Sequence, residues 1–367
     1  MMIREHTHSD LVIPPGEYLE EVISELGMTK DELARRMNRP APKLSAIFTG
    51  AKAITSDTAL HLEKVVGVPA HIWTGLEAEY RLTLVRNLEM QRLCDESNLV
   101  TKFCYPELVT LGFVAKKTKA IEKVRELQHF FGVTSLKNIS ALKRYQAAFR
   151  QGTGERSPEA TSAWLRIGEL QGQKTESAPF RRDVLKRILP TLRGMTRLSP
   201  EEFETQLRQT LLDAGVVLVL CPHLPKTYLH GATFWLGQNK AVLMLTIRGR
   251  WADVFWFSLF HEIGHLLLHG KQIVFLEGDN CEHGLEKPEK EADRFAADKL
   301  IPPDDYKSFL KAGAFYPNNI KTFAGQLGID PGIIVGRLQH ENYLEKSWHN
   351  NLRSRYEWED RQTTNKC

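Results

Sequence analysis

Apolar positions in the first eighty residues recur at helical spacing and are cut short by turn residues. Tyr18, Leu19, Val22, Ile23 and Leu26 follow Pro14-Pro15-Gly16 and stop at Gly27, which predicts a first helix. Thr29, with Glu32 three residues on, is a capping-box pattern that opens a short helix through Met37. A turn with Pro40 and Pro42 leads into a helix at residues 43–48, closed by Gly50. Thr55-Ser56-Asp57 caps a fourth helix, residues 58–66, closed by Gly67. Four short helices with turns this tight predict a small all-α domain at residues 10–80.

The pattern stays helical over residues 81–215 but loses its rhythm. Gly132, Gly152-Thr153-Gly154 and Gly172 interrupt it, as do Pro106, Pro158, Pro179, Pro190 and Pro200. Ser157-Pro158-Glu159 and Ser199-Pro200-Glu201-Glu202 read as helix starts. No catalytic constellation stands out, so a helical connector and cover is expected here. From residue 216 to 345 the period changes. Val216–Leu220 is a β-branched run of strand length, and residues 232–236 and 241–246 flank Gly237-Gln238-Asn239-Lys240 as a hairpin. Residues 251–270 form a strongly apolar helix, a loop runs to about Lys287, and a second helix at 289–300 ends at Pro302-Pro303. A second helix–turn–helix pattern near residues 322–327 lacks the basic residues of the first and is expected to serve packing. Residues 346–367 read as a polar tail, frayed beyond Asn350. The fold class is mainly α, with a small α+β domain toward the C-terminal end.

Composition narrows the class. Of 367 residues, 42% are hydrophobic and 26% charged, which excludes a disordered chain. The longest apolar runs, at 216–221 and 254–260, fall well short of the ~20 residues that span a bilayer. Met1–Asp10 carries Arg4, Glu5, His6, His8 and Asp10, which excludes a secretory signal. Cys94, Cys104, Cys221, Cys281 and Cys367 form no C-x-x-C pair, which fits a reducing compartment and excludes a cysteine-based zinc site. A cytoplasmic protein is expected. The net charge of +4 hides an uneven distribution: 8 Lys/Arg against 12 Asp/Glu in residues 1–80, 23 against 15 in 81–215, and 18 against 18 beyond.

The chemistry concentrates in His261-Glu262-Ile263-Gly264-His265. Two histidines four apart lie about 40° apart on one helix face, one turn apart along the axis. Imidazoles so placed can occupy two corners of a tetrahedral Zn2+, with Glu262 beside them as a base toward a water of lowered pKa. Gly264 between them costs about 1 kcal/mol of helix propensity, which implies close approach of a neighbouring backbone. A third ligand is required. Lys271 occupies the position where one arrangement of this motif has a third histidine, and His269 cannot easily turn back to the same metal. That leaves the helix at 289–300. Glu291, one turn before Phe295 on the apolar side, is the expected ligand, with Glu289 and Asp293 as first-turn acids or as acceptors that orient a ligand imidazole. Tyr228, His230 and His223 are candidate oxyanion stabilisers.

At the other end of the chain, Lys30, Arg35, Arg36, Arg39, Lys43 and Lys52 stand against Asp31 and Glu32, a local excess of +4 inside an acidic domain. This polarity suits a helix–turn–helix that presents one face to phosphates. Residues 43–48 would be the recognition helix. Lys43 and Ser45 are the candidates for groove contacts, Arg39 and Lys52 for phosphate, and Leu44 and Ile47 face the core. A four-helix packing module with an ordinary solvated face is the alternative.

Two resemblances add to this reading. Gly231-Ala232-Thr233, Phe255-Trp256-Phe257, the 261–269 stretch, and Glu291-Ala292-Asp293-Arg294-Phe295-Ala296-Ala297 with Ile301-Pro302 resemble the ImmA/IrrE family of zinc endopeptidases. That resemblance implies a gluzincin-like site with Zn2+ on His261, His265 and Glu291 and with Glu262 as base. It also implies a protein substrate, a DNA-binding regulator or antitoxin. Pro15-Gly16-Glu17-Tyr18-Leu19, Glu32-Leu33-Ala34, Ile47-Phe48-Thr49-Gly50, Ala53-Ile54-Thr55, Thr58-Ala59 and Trp73 are similar to the HigA type of lambda-repressor-like antitoxin. Pro40 and Pro42 depart from it, standing where the wider class has polar DNA-contacting residues. Together these imply a peptidase coupled to a DNA-binding domain in transcriptional or toxin–antitoxin control, with no membrane partner and with a homodimer as its possible assembly. The alternative is a HigA-like repressor whose zinc domain senses or binds a partner.

Overall fold

The computed structural model describes residues 12–150, 156–270, 275–278 and 286–358. Expectations for Met1–Asp10, Gly152-Thr153-Gly154, Lys271, most of the loop toward Lys287 and the end of the tail lie outside the described residues. The chain divides into two compact units, Met1–Asp95 and Glu96–Cys367.

The first unit holds α1 (Pro15–Glu25), α2 (Lys30–Arg36), α3 (Ala41–Phe48), α4 (Ser56–Val66) and most of α5 (Ala70–Glu96). Leu19, Ile23, Leu33, Leu44, Ile47, Leu62 and Trp73 close one core among them. The Thr29 hydroxyl accepts from the Glu32 amide at 3.2 Å. The reciprocal half of the box is absent, because the Glu32 carboxylate turns instead to Arg36, 2.8 Å away. Gly67 ends α4 with φ +77°, a left-handed conformation that Gly adopts without steric cost. Gly16 has no room for a side chain, since a Cβ there would collide with the backbone of Ile47 and Phe48.

The second unit opens with α6 (Tyr105–Thr110), α7 (Ala120–Phe131), α8 (Gln146–Arg150), α9 (Pro158–Lys174), α10 (Arg182–Gly194) and α11 (Pro200–Asp213). Ser199 and Glu202 form a complete capping box at the start of α11. A four-stranded sheet follows in the order β1-β3-β2-β4. Strand β1 (Val216–Leu220) runs parallel to β3 (Lys240–Leu245), while β2 (Leu229–Leu236) pairs antiparallel with both β3 and β4 (Phe275–Gly278). The β2–β3 hairpin turns through Gly237 at φ +68°. Strands β1 and β3 are covered on both faces, which is why they read as unbroken apolar runs. One face receives α9, whose Gly168 and Gly172 bring it down onto Met244, Val242 and Leu236. The other packs on α12 (Ala252–Leu268), then α13 (Glu286–Leu300), α14 (Pro303–Ala312), α15 (Pro317–Leu327) and α16 (Pro331–His340) complete the unit.

Two boundaries differ from expectation. Residues 96–215 are not a separate connector: α10 and α11 place Leu185, Leu189, Leu192, Phe203, Leu207 and Leu211 in the same core as Trp256 and Phe260 of α12. The segment after residue 346 is not wholly a frayed tail either. Arg353 grips the Asp253 carboxylate at 3.0 and 2.8 Å, and the Trp256 indole donates to the Tyr356 hydroxyl at 2.9 Å. These bonds tie the chain end to the start of α12. The second helix–turn–helix, α15–α16, is core structure through Ile320, Phe323, Ile333 and Ile334.

Candidate metal centre and nucleic-acid interface

Helix α12 is apolar nearly all round, so its polar residues are buried with it: His261 is 2% exposed, Glu262 0% and His265 1%. Gly264 lies between the two histidines, where a Cβ would stand 3.3 Å from Ala292 Cα. The glycine lets α13 approach within reach of both imidazoles. The residue α13 delivers is Glu289. Its Oε2 is 3.1 Å from His261 Nε2, its Oε1 is 3.5 Å from His265 Nε2, and the two Nε2 atoms are 2.9 Å apart. Ligands at about 2.0–2.1 Å on a tetrahedral zinc stand about 3.3 Å from one another. The three donors therefore fit one metal ion, and among the described residues they are the group that could hold one.

Glu291 is not in this group, which corrects the expectation from sequence. Successive helix residues turn by about 100°, so Glu291 lies about 160° round the helix from Glu289. Its carboxylate is half exposed, 3.2 Å from His269 Nε2. Asp293, four residues after Glu289, shares its face and accepts from His261 Nδ1 at 2.9 Å. The Glu289-x-x-x-Asp293 spacing was the available signal for this face. Electrostatics suit the donor set. Burial pushes the Glu289 carboxyl up, but hydrogen bonds from His261 and His265 hold it at about 2. Burial lowers the His265 pKa, which favours the neutral imidazole that a metal requires. Of the oxyanion candidates, Tyr228 lies under the Arg248 guanidinium, 5.0 Å from its ring centroid, and burial with Arg248 nearby lowers the His223 pKa. The His230 backbone carbonyl accepts from Thr246 at the edge of β2.

In the first unit Leu44 and Ile47 are buried, whereas Lys43, Ser45 and Lys52 are exposed. Among the described residues neither Lys43 nor Lys52 has an ion-pair partner, so both charges face solvent. Arg39 differs: it is committed to Asp57 in the first turn of α4 and is largely buried. Lys30 pairs with Glu20, and Arg35 and Arg36 pair with Glu32. The local basic excess is thus mostly neutralised in place. Pro40 caps α3 and Pro42 occupies its first turn, both exposed, where Pro lacks only an N–H that the helix does not need.

The IrrE N-terminal-like domain of the M78 peptidases matches residues 252–325, the span that carries α12 and α13. An uncharacterized HTH-type transcriptional regulator of Escherichia coli (strain K12), YddM, is 29% identical over 85 residues, 23% of this chain and 85% of that protein. Virulence-associated protein I of Dichelobacter nodosus is 32% identical over 73 residues, 20% of this chain and 68% of that protein. The chain belongs to the HigA-like helix–turn–helix regulators joined to an IrrE-like peptidase domain. An addiction module antidote protein of the HigA family from Coxiella burnetii is a further similar chain, 32% identical, covering 23% of this chain and 94% of its own, with a TM-score of 0.21. The IrrE-like domain implies a metal ion, and the donors it brings together are His261, His265 and Glu289. Among the described residues no helix is long and apolar enough to cross a membrane.

Proposed function

We propose that the chain is a zinc-dependent endopeptidase whose ligands are His261, His265 and Glu289, coupled to a DNA-binding domain. The observation that supports this reading is the convergence of three buried donors within 2.9–3.5 Å of one another, next to a buried Glu262. A Zn2+ held by these three residues would supply Lewis acidity toward a peptide carbonyl and lower the pKa of a nearby water. Glu262 would serve there as general base and then general acid, taking a proton on a carboxylate oxygen and giving it to the leaving amine nitrogen. Burial of α12 excludes bulk water from the proton transfer and stiffens both imidazoles. Asp293 holds His261 with its Nδ1 proton directed away from the metal, leaving the Nε2 lone pair to bind.

Substrate and partner follow from the fusion. A regulatory protein, a DNA-binding regulator or antitoxin, is the substrate, the N-terminal unit brings the enzyme to DNA, and the protein acts in the cytoplasm, as a homodimer if the operator is a palindrome. Lys43, Ser45 and Lys52 are the DNA-facing residues, and Arg39 contributes chiefly through Asp57.

Metal analysis of the purified full chain tests the centre. One zinc per chain is expected, lost in His261→Ala, His265→Ala and Glu289→Gln and retained in Glu262→Gln together with loss of cleavage. Undiminished target turnover in Glu262→Gln overturns the peptidase reading. The similarity to an HTH-type regulator favours one second reading, a repressor whose metal domain only senses or binds a partner. Operator control that survives Glu262→Gln and accounts for the whole phenotype would select it.

A further inference from the structure

His269 and Glu291 have no part in the three-donor group, yet they are joined to it in a line. Helix α12 ends at Leu268, and His269 follows in extended conformation, φ −111° and ψ 164°, its amide donating to the His265 carbonyl at 3.1 Å. Its side chain folds back along the helix. Nδ1 comes within 3.0 Å of His265 Nδ1, and Nε2 within 3.2 Å of Glu291 Oε2. The two rings are tilted at 47° with centroids 5.0 Å apart, so nitrogen faces nitrogen edge to edge and the rings are not stacked.

These contacts admit one consistent set of donors and acceptors once His265 is a ligand. His265 Nε2 is the atom that faces His261 and Glu289, so a metal takes its lone pair and the ring proton must sit on Nδ1. That N–H donates to His269 Nδ1, which must therefore carry a lone pair. The His269 proton is then on Nε2, where it donates to the Glu291 carboxylate. We propose that His269 and Glu291 form a two-residue relay that fixes the tautomer and ring orientation of His265 as a metal ligand. They are positioning residues, acting through His265. The relay is the counterpart of the direct Asp293 contact on His261, with an imidazole inserted to span the longer gap. Hydrogen bonding behind a ligating histidine raises its basicity and holds its orientation, and its loss typically costs 10–100-fold in metal affinity.

This inference rests on the metal-centre reading, and the experiment separates their failures. Zinc affinity is measured on the purified full chain by competition with a chromophoric chelator. Glu289→Gln is expected to abolish binding. His269→Ala is expected to weaken it about 10–100-fold. Glu291→Ala, at a half-exposed position that does not threaten folding, weakens it in the same direction by about 10-fold, the lower end of that range. Glu291→Gln, whose amide oxygen still accepts from His269 Nε2, restores it to within about threefold of wild type, whereas a Glu291 that ligated directly would lose the metal on that change. The double variant His269→Ala/Glu291→Ala is expected to be no weaker than His269→Ala alone. Zinc affinity in His269→Ala within threefold of wild type overturns the relay while leaving the centre intact. Wild-type affinity in Glu289→Gln overturns the centre.

Discussion

Replacing Gly264 by Ala sets two effects of similar size against each other. Ala gains about 1 kcal/mol of helix propensity over Gly in a helix interior. The new Cβ, however, would lie 3.2 Å from Phe295 Cδ1, 3.3 Å from Ala292 Cα and 3.5 Å from Ala292 Cβ. Carbon pairs rest at about 3.5–4.0 Å, so α13 must retreat by roughly 0.3–0.5 Å. The half-buried Phe295 ring can turn aside, but Ala292 Cα is backbone and moves only with its helix. Overpacking of this kind costs about 1–3 kcal/mol. The difference is a net loss of about 0–2 kcal/mol, which lowers Tm by up to about 4 °C in a unit of this size. The retreat also carries Glu289 away from the two imidazoles. A shift of that size uses up the roughly 0.5 Å within which a functional site must be held, so zinc affinity should fall by up to about tenfold even where stability changes little. Thermal unfolding with and without chelator, together with chelator competition, reads both quantities on one protein. A Gly264→Ala variant that gains the full propensity increment and keeps wild-type zinc affinity would refute the claim that close approach of α13 fixes this glycine.

Other predictions concern the supports of the fold and the basic face. Arg353→Ala should destabilise the second unit by about 3–5 kcal/mol in chemical unfolding, because it leaves the Asp253 carboxylate buried without its bidentate partner. Gly16→Ala should unfold the first unit selectively, since the new Cβ meets only the backbone of Ile47 and Phe48; its helical far-UV signal and operator binding should fall together, leaving zinc stoichiometry unchanged. Glu169, largely buried between Arg166, Arg144 and Tyr145, has a pKa that burial raises but that its hydrogen bonds and the two guanidiniums bring below the usual glutamate value. A lowered folded pKa means its contribution is complete above the unfolded value and is lost as the pH falls through the folded one, so the stability gap to Glu169→Gln should stay constant at neutral pH and narrow only under acid conditions. Lys43→Ala with Lys52→Ala should reduce the slope of log affinity for operator DNA against log salt by about 1.8, with no change in unfolding midpoint.

What could be read from the sequence, and what could not, divides along the range of the interactions. Helix starts such as Thr55, Ser157 and Ser199 are settled within four residues, and the strands β1 and β3 announce themselves because burial on both faces demands unbroken apolar runs. The amphipathic pattern of α10 and α11 is equally local, but it does not say which surface that pattern covers. Leu189 and Leu207 find α12 and the sheet only through tertiary packing, so a segment that reads as a connector is half of a core. The Asp253–Arg353 clamp spans a hundred positions, with nothing nearby to signal it. The basic excess at residues 30–52 is a true count, yet Glu20, Glu32 and Asp57 neutralise most of it, leaving Lys43 and Lys52 facing solvent.

The third ligand shows the limit most sharply, because Glu289, Glu291 and Asp293 are chemically near-equivalent and lie within five positions. Local propensity cannot separate acids in the first turns of one helix. The orientation of α13 does so, and small residues decide that orientation. Ala292 and Ala296 are fully buried against α12 where Gly264 leaves room, so the face they share faces the imidazoles. Glu289 lies one turn before Ala292 and Asp293 one turn after Glu289, so both flank that face; Glu291 lies off it. Phe295, which drew attention to Glu291 in the sequence, is only half-buried and marks the edge of the contact, not its centre. A ligand on a second helix is thus better located from the small residues that permit approach than from the large one that seems to anchor it. Exchanging the acids tests this directly: Glu289→Gln combined with Lys290→Glu, or with the native Glu291 alone, should fail to recover zinc binding, because neither position can be turned inward without rotating Ala292 and Ala296 out of contact.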